Sequence, residues 1–209
     1  KNLIVQKLND WVTLDNYNVA EYYCGFEKFR NEIGCLLRVF TLNYDLCFEK
    51  IVGNKSSIVD GFDLNTYEWN YSNFDKIEED FCLYKLHGSI DWYFNSQNGR
   101  LYKSANPKKK PELIFGVEAK LRSKDPYLFY ISQFRQFLFD SDCKLLIVIG
   151  YSFSDGHIND IIIQALRENK DRNVLVVSPS KMKEEEKREG IKNSLNLSLE
   201  VANQFNWVE

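Results

Sequence analysis

No two cysteines in this 209-residue chain stand at C-x-x-C spacing. The five that occur, Cys24, Cys35, Cys47, Cys82 and Cys143, are scattered and odd in number. That pattern argues against a disulfide framework and against a structural zinc site, so no metal is expected. Buried free thiols in a reducing cytoplasm fit it best. Long apolar runs are also missing. No stretch approaches the ~18 residues of a membrane span, and no secretory leader is visible, so no membrane is expected as a partner. Charge of one sign is not in excess either: 27 Lys and Arg stand against 30 Asp and Glu, a net charge of −3. A nucleic-acid binder would normally be basic, so direct nucleic-acid binding is not expected. The one basic run, Lys108-Lys109-Lys110 between Pro107 and Pro111, is short for a phosphate patch and reads as a solvated loop.

What remains is ordinary globular material. Hydrophobic residues make up 44% of the chain, enough for a packed core, and 15 Phe and 12 Tyr point to a core rich in aromatics. The length suits one sizeable domain, and no composition break argues for a second, so residues 1–209 read as a single unit. The first residue is Lys1 rather than Met, which leads us to expect a preceding segment.

Hydrophobic periodicity supplies the order of elements. Residues 1–37 read as helical, with Phe26, Phe29, Ile33 and Leu36 forming one apolar stripe. Leu36 to Thr41 is a short apolar run that ends in polar Asn43 and Asp45, as a buried parallel strand does. Residues 52–80 read as loops. Phe81 to Leu86 is the next strand, ended by His87-Gly88-Ser89. Residues 91–102 read as a hairpin turning at Asn98-Gly99, where a type I′ turn would suit the pair. A polar loop over 103–112 leads to an aromatic helix at about 126–140. Lys144 to Ile149 is the clearest strand, closed by Gly150-Tyr151-Ser152. A helix over Asp155–Leu166 follows, with Ile158, Ile161, Ile162 and Ala165 as its apolar face, then a strand over Asn173–Val177 ended by Ser178. The tail holds a charged helix near 181–190 and a last apolar piece near 195–208. Alternating strands and helices predict an α/β fold with a mainly parallel sheet, in which the strands near 37–42, 82–86, 144–149 and 173–177 are neighbours.

In parallel sheets ligands bind beyond the C-terminal ends of the strands. Four strands here end in polar or glycine-containing groups: Thr41-Leu42-Asn43-Tyr44-Asp45, His87-Gly88-Ser89, Gly150 to Asp155, and Ser178. One of the only two histidines lies at such an end and the other, His157, opens a helix. Taken singly, each feature has a structural reading: Asn43 or Asp45 can cap the following helix, Asp155 can be an N-cap, and His87-Gly88 can be a turn. It is their conjunction that marks a site.

At these residues the chain resembles the SIR2-like family, the sirtuin-related domains of many bacterial NAD-depleting defence proteins. Thr41-Leu42-Asn43-Tyr44-Asp45 is similar to the family's T-x-N-Y-D, Leu86-His87-Gly88-Ser89 to its L-H-G, and Gly150-Tyr151-Ser152-Phe153-Ser154-Asp155 with His157-Ile158-Asn159 to its G-Y-S-F-x-D-x-H-I-N block. Ile114-Phe115-Gly116 is a fainter match. The resemblance implies a Rossmann-like, sirtuin-like sheet with flanking helices, with NAD⁺ as substrate. It implies Asn43 and His87 as the catalytic pair, with Thr41, Asp45, Gly88, Gly150, Tyr151, Ser152, Asp155 and Ser178 contacting the dinucleotide. It also implies a homo-oligomer, or an attached or partner defence subunit. Two departures stand out. The zinc ribbon of the classical deacylases is missing, which points to the NAD hydrolase branch. The family's opening glycine-rich G-A-G-x-S loop, which holds phosphate at a helix N-terminus, is missing too, and is expected upstream. The alternatives are a module that senses NAD⁺ or ADP-ribose without turnover, a deacylase, and a plain interaction domain.

Overall fold

A computed structural model describes residues 7, 10–75, 79–104, 111, 125–178 and 183–208. The expectations at Lys108–Lys110 and Ile114–Gly116 lie outside the described residues. The chain divides into two compact units, Lys1–Ile131 and Ser132–Glu209.

Residues 10–12 are helical, and a 3-10 helix over Tyr17–Tyr23 then runs into α1 (Cys24–Ile33). Gly34, at φ +66, ends α1 by donating its N–H to the Arg30 carbonyl, a left-handed position that glycine takes without strain. After α1 come β1 (Leu37–Thr41), α2 (Cys47–Ile51), β2 (Ile58–Val59), a 3-10 turn at Tyr71–Asp75, β3 (Phe81–Lys85) and the hairpin β4 (Trp92–Asn95) and β5 (Arg100–Lys103). β3 is central in a parallel sheet of order β1-β3-β2, with Leu37 opposite Phe81 and Thr41 opposite Lys85. All five β3 residues are buried, as a continuous run covered on both faces should be. The core under this sheet is Phe48, Val52, Phe81 and Leu83, with Tyr23, Phe26, Leu37, Val39 and Ile58 packed around it. Phe48 meets Phe81 edge to face, ring centres 5.6 Å apart.

The second unit takes most of α3 (Tyr127–Phe139), then β6 (Leu145–Ile149), α4 (Gly156–Glu168), β7 (Asn173–Val177), α5 (Glu184–Ser194), α6 (Leu199–Ala202) and β8 (Phe205–Val208). Its sheet is also parallel, in the order β6-β7-β8. The predicted apolar face of α4 is buried in full. Arg172, itself buried, donates to the carbonyls of Cys143 (3.0 Å), Asp140 (2.9 Å) and Ala165, joining the ends of three segments without a carboxylate partner among those bonds.

The parallel α/β architecture and most element positions agree with the reading of the sequence. Three details differ. Among the described residues the four predicted strands divide between two three-stranded sheets, β1 and β3 in one and β6 and β7 in the other, because an apolar run marks a strand but carries no information about its neighbour. β1 and β6 are each terminal in their sheet, and Leu145, Ile147 and Ile149 on β6 remain 48%, 39% and 54% exposed. On α1, Phe26 alone of the predicted stripe packs on the core, while Phe29 and Ile33 stay exposed. The hairpin turns through the four residues between Asn95 and Arg100 rather than through Asn98-Gly99 alone, since the Asn95 and Asn98 side chains accept from the Gln97 and Arg100 N–H groups. Among the described residues no helix is long and apolar enough to cross a membrane.

Phe81 is fully buried in the strand that centres the first sheet. Phe81→Ala should therefore destabilise the protein by about 3–5 kcal/mol, read as a lower denaturant midpoint in equilibrium unfolding. A loss below about 1 kcal/mol would place Phe81 outside the core.

Candidate functional site

The pairing of β1 with β3 continues past the last strand residues. Leu86 N–H donates to the Thr41 carbonyl at 2.9 Å, and Ile90 N–H to the Tyr44 carbonyl at 3.1 Å. Ser89 Oγ reaches the same Tyr44 carbonyl at 3.5 Å. Thr41 and Lys85 are partners in the register, so Asn43 and His87, two residues further along each chain, lie at one edge of the sheet. The Tyr44 and His87 rings are 6.2 Å apart between centres. Asn43 is exposed and His87 is half-buried. Gly88, at φ +88 and buried, lets the chain turn sharply after His87, with its N–H on the Lys85 carbonyl at 3.1 Å.

The first loop has its own supports. Thr41 Oγ1 accepts from Asn43 N–H at 3.1 Å. The Asn43 side chain hydrogen-bonds Tyr23; burial raises the Tyr23 phenol pKa, its neighbour Tyr22 adds to that, and the bond from Asn43 acts in the opposite direction. Asp45 Oδ1 accepts from Cys47 N–H at 2.9 Å and so closes a turn at the start of α2. Leu46, not Asp45, is the N-cap of α2 and no side chain caps that helix, so Asp45 shapes the turn before it rather than taking the capping role weighed for it. Burial, together with the hydrogen bond and charge of Asp45, pushes the Cys47 thiol up to about 12.

Beneath the loops lies a set of buried charges that reading the sequence missed. Lys85, the last residue of β3, is buried and donates to Glu49 Oε1 at 2.9 Å and to the Asp45 carbonyl. Lys103 on β5 pairs with Asp60 and lies 3.9 Å from buried Asp91. Burial alone would lower the Lys103 pKa, but Asp60, Asp91 and Glu49 outweigh it and raise the pKa. Asp91 Oδ1 has no hydrogen-bond partner among the described residues. The available signal was Lys85 itself, a cation inside an otherwise apolar run.

The second unit carries the remaining predicted residues at the ends of β6 and β7. Gly150, at φ +64, donates its N–H to the Val177 carbonyl at 3.2 Å, and Ser178 donates to Val208 at 3.1 Å, so the two follow adjacent strands. Gly150 and Ser152 are exposed, and a side chain at Gly150 would meet open space. Ser152 Oγ lies 2.8 Å from Ser154 Oγ. Tyr151 and Asp155 face their own loop. Asp155 caps α4 by accepting from His157 N–H at 3.1 Å. Tyr151 OH donates to Asn159 Oδ1 at 2.8 Å, and Asn159 Nδ2 donates to the Phe153 carbonyl at 2.7 Å. Burial raises the Tyr151 phenol to about 12. Three residues of the third block therefore hold the loop onto its helix.

A model of the SIR2-like domain matches residues 37–199, most of the chain and all three motif blocks. The chain belongs to the SIR2-like family. SIR2-like domains bind NAD and are generally NAD-dependent enzymes, so a sirtuin-related, NAD-related function follows at family level. No curated protein matches the chain. Among the described residues of this SIR2-like domain, no group of three or more His, Cys, Asp or Glu side chains is arranged to hold a metal ion.

The raised Cys47 thiol gives a pH prediction. With the pKa moved up from 9.0 to about 12, the folded state keeps a proton that the unfolded chain loses. The contribution is complete below the unfolded pKa and is lost as pH rises through the folded one. Between about pH 8 and about pH 10.5 the urea midpoint of the wild type should fall more than that of Cys47→Ser, whose hydroxyl does not titrate there. Equal falls would mean that Cys47 is ordinary in both states.

Proposed function

We propose that this SIR2-like domain hydrolyses NAD⁺ to nicotinamide and ADP-ribose, with Asn43 and His87 as its catalytic pair. The observation that carries the reading is the shared edge: an exposed amide and a half-buried imidazole beyond adjacent parallel strands, on loops joined by backbone hydrogen bonds. NAD⁺ brings its own leaving group, a cationic nicotinamide on the anomeric carbon of a ribose. In the reaction the bond from that carbon to the pyridine nitrogen breaks, and the electron pair passes to the ring and cancels its charge. Water forms the new carbon–oxygen bond and loses a proton. His87 accepts that proton, since an imidazole titrates near neutral pH. The Asn43 amide holds a ribose hydroxyl or the water by hydrogen bonds, without adding charge.

Asp45 and Thr41 border the same loop and complete the ribose side in this reading. Gly88 allows close approach of the backbone. In the second unit, Tyr151 and Asp155 fix the loop that carries Gly150 and Ser152. The biological setting that fits is NAD⁺ depletion by a bacterial antiviral defence protein in the cytoplasm, with further copies or a partner subunit controlling it.

In the full-length protein, His87→Ala should lower NAD⁺ turnover by ~10²–10⁴ and Asn43→Ala by about 10²–10³. Exposed Asn43 should cost no more than roughly 0.5 kcal/mol of stability when replaced. Nicotinamide release and melting temperature are measured together. A His87→Ala protein that melts several degrees lower but turns over normally per folded molecule would make His87 structural and overturn the assignment.

A further inference from the structure

Lys85 is buried to 2% side-chain exposure at the point where β3 ends, two residues before His87. An ammonium there carries a large desolvation cost, so it needs a full set of partners. Its partners lie on the neighbouring segment. Nζ donates to Glu49 Oε1 at 2.9 Å on α2 and to the Asp45 main-chain carbonyl, two residues after Asn43. The Asp45 carboxylate is turned to Cys47 N–H, so it is the carbonyl that meets the cation. The loop bearing Asn43 is therefore fixed at its start by Leu86 N–H on the Thr41 carbonyl, in its middle by Ile90 N–H on Tyr44, and at its end by Lys85. Glu49 balances the charge and orients the ammonium. A bond from a charged donor is stronger than one between neutral groups, so the Lys85 contact is the stiffest of the three.

From this juxtaposition we infer that Lys85 is a positioning residue for the reaction. It acts through the Asp45 carbonyl to set Asn43 against His87, and Glu49 serves as its counter-charge. The inference rests on the proposed NAD⁺ hydrolysis for its effect on turnover, but the fixing of the loop can be read without any activity.

Removing Lys85 alone would strand Glu49, so the test variant is Lys85→Met/Glu49→Leu in the full-length protein. Replacing a buried ion pair by apolar side chains is often neutral in stability. A melting temperature within a few degrees of wild type is then expected. Amide hydrogen exchange should be faster in residues 42–48 and unchanged in 37–41 and 81–85. The kcat for nicotinamide release should fall about tenfold or more, with KM for NAD⁺ moving less than about twofold. Wild-type exchange in 42–48 together with wild-type kcat would overturn the inference. Faster exchange with no nicotinamide release from the wild type would sustain the fixing of the loop and count against the proposed hydrolysis instead. If the double variant does not fold, Lys85→Arg keeps the buried charge but alters its reach, because the two cations differ in shape and donor geometry. Turnover should then fall at an unchanged melting temperature. Unchanged turnover and exchange in that variant would equally overturn the role.

Discussion

The parallel pairing of β1 with β3, carried beyond the strands by hydrogen bonds between their loops, is the constraint on which the first unit depends. Within the strands the pairing is driven by burial: Phe81 and Leu83 are fully buried and press on Phe48 and Val52. Past Thr41 and Lys85 polar residues alternate with buried Leu86, Ile90 and Leu46, and backbone bonds to Thr41 and Tyr44 carry the pairing on. This alternation puts functional groups at a surface without releasing them. A loop held only by its own turns would be among the parts of the protein that open most easily. Here Lys85 and Glu49 extend the rigid part of the sheet by several residues.

Division of labour within each motif block follows from the same geometry. In the first block Thr41 and Asp45 bond to the backbone of their own loop, which leaves Asn43 as the exposed polar side chain between them. In the third block Tyr151, Asp155 and Asn159 hold the loop against α4, which leaves Gly150 and Ser152 outward. A motif of this kind is a short folded device in which most members shape the backbone and few are presented to a ligand. Buried charge plays a similar part under the His87 loop, where Asp91 and Lys103 join the hairpin to Asp60.

Much of this was legible in the sequence. Runs such as Phe81–Leu86 and Lys144–Ile149 announced strands, the first buried throughout and the second half open to solvent, and their polar ends announced which edge to inspect. The α4 face could be read residue by residue from its 3.6-residue period. The pairing of strands was not legible, because a run of Leu, Ile and Val suits any parallel neighbour. β2 escaped notice because two residues carry no periodicity. The exposed half of the α1 stripe was misjudged because amphipathic spacing marks which residues share a face and is silent on how much of that face is covered. Lys85, Asp60, Asp91 and Lys103 were missed for a different reason: a charged residue is read as solvated until its counter-charge, 36 residues away for Lys85 and Glu49, is brought beside it.

The central claim is that the edge bearing Asn43 and His87 meets the dinucleotide. The chain has only two histidines, His87 at that edge and His157 at the start of α4, so their imidazole proton resonances can be followed singly. Titrating the full-length protein with ADP-ribose, a product that cannot be turned over further in the proposed reaction, tests contact without relying on catalysis. The account predicts that the His87 resonance, assigned by its loss in His87→Ala, moves in a saturable way and that its pKa changes as the site fills. Saturable binding of ADP-ribose that leaves the His87 resonance and its pKa unmoved would contradict it.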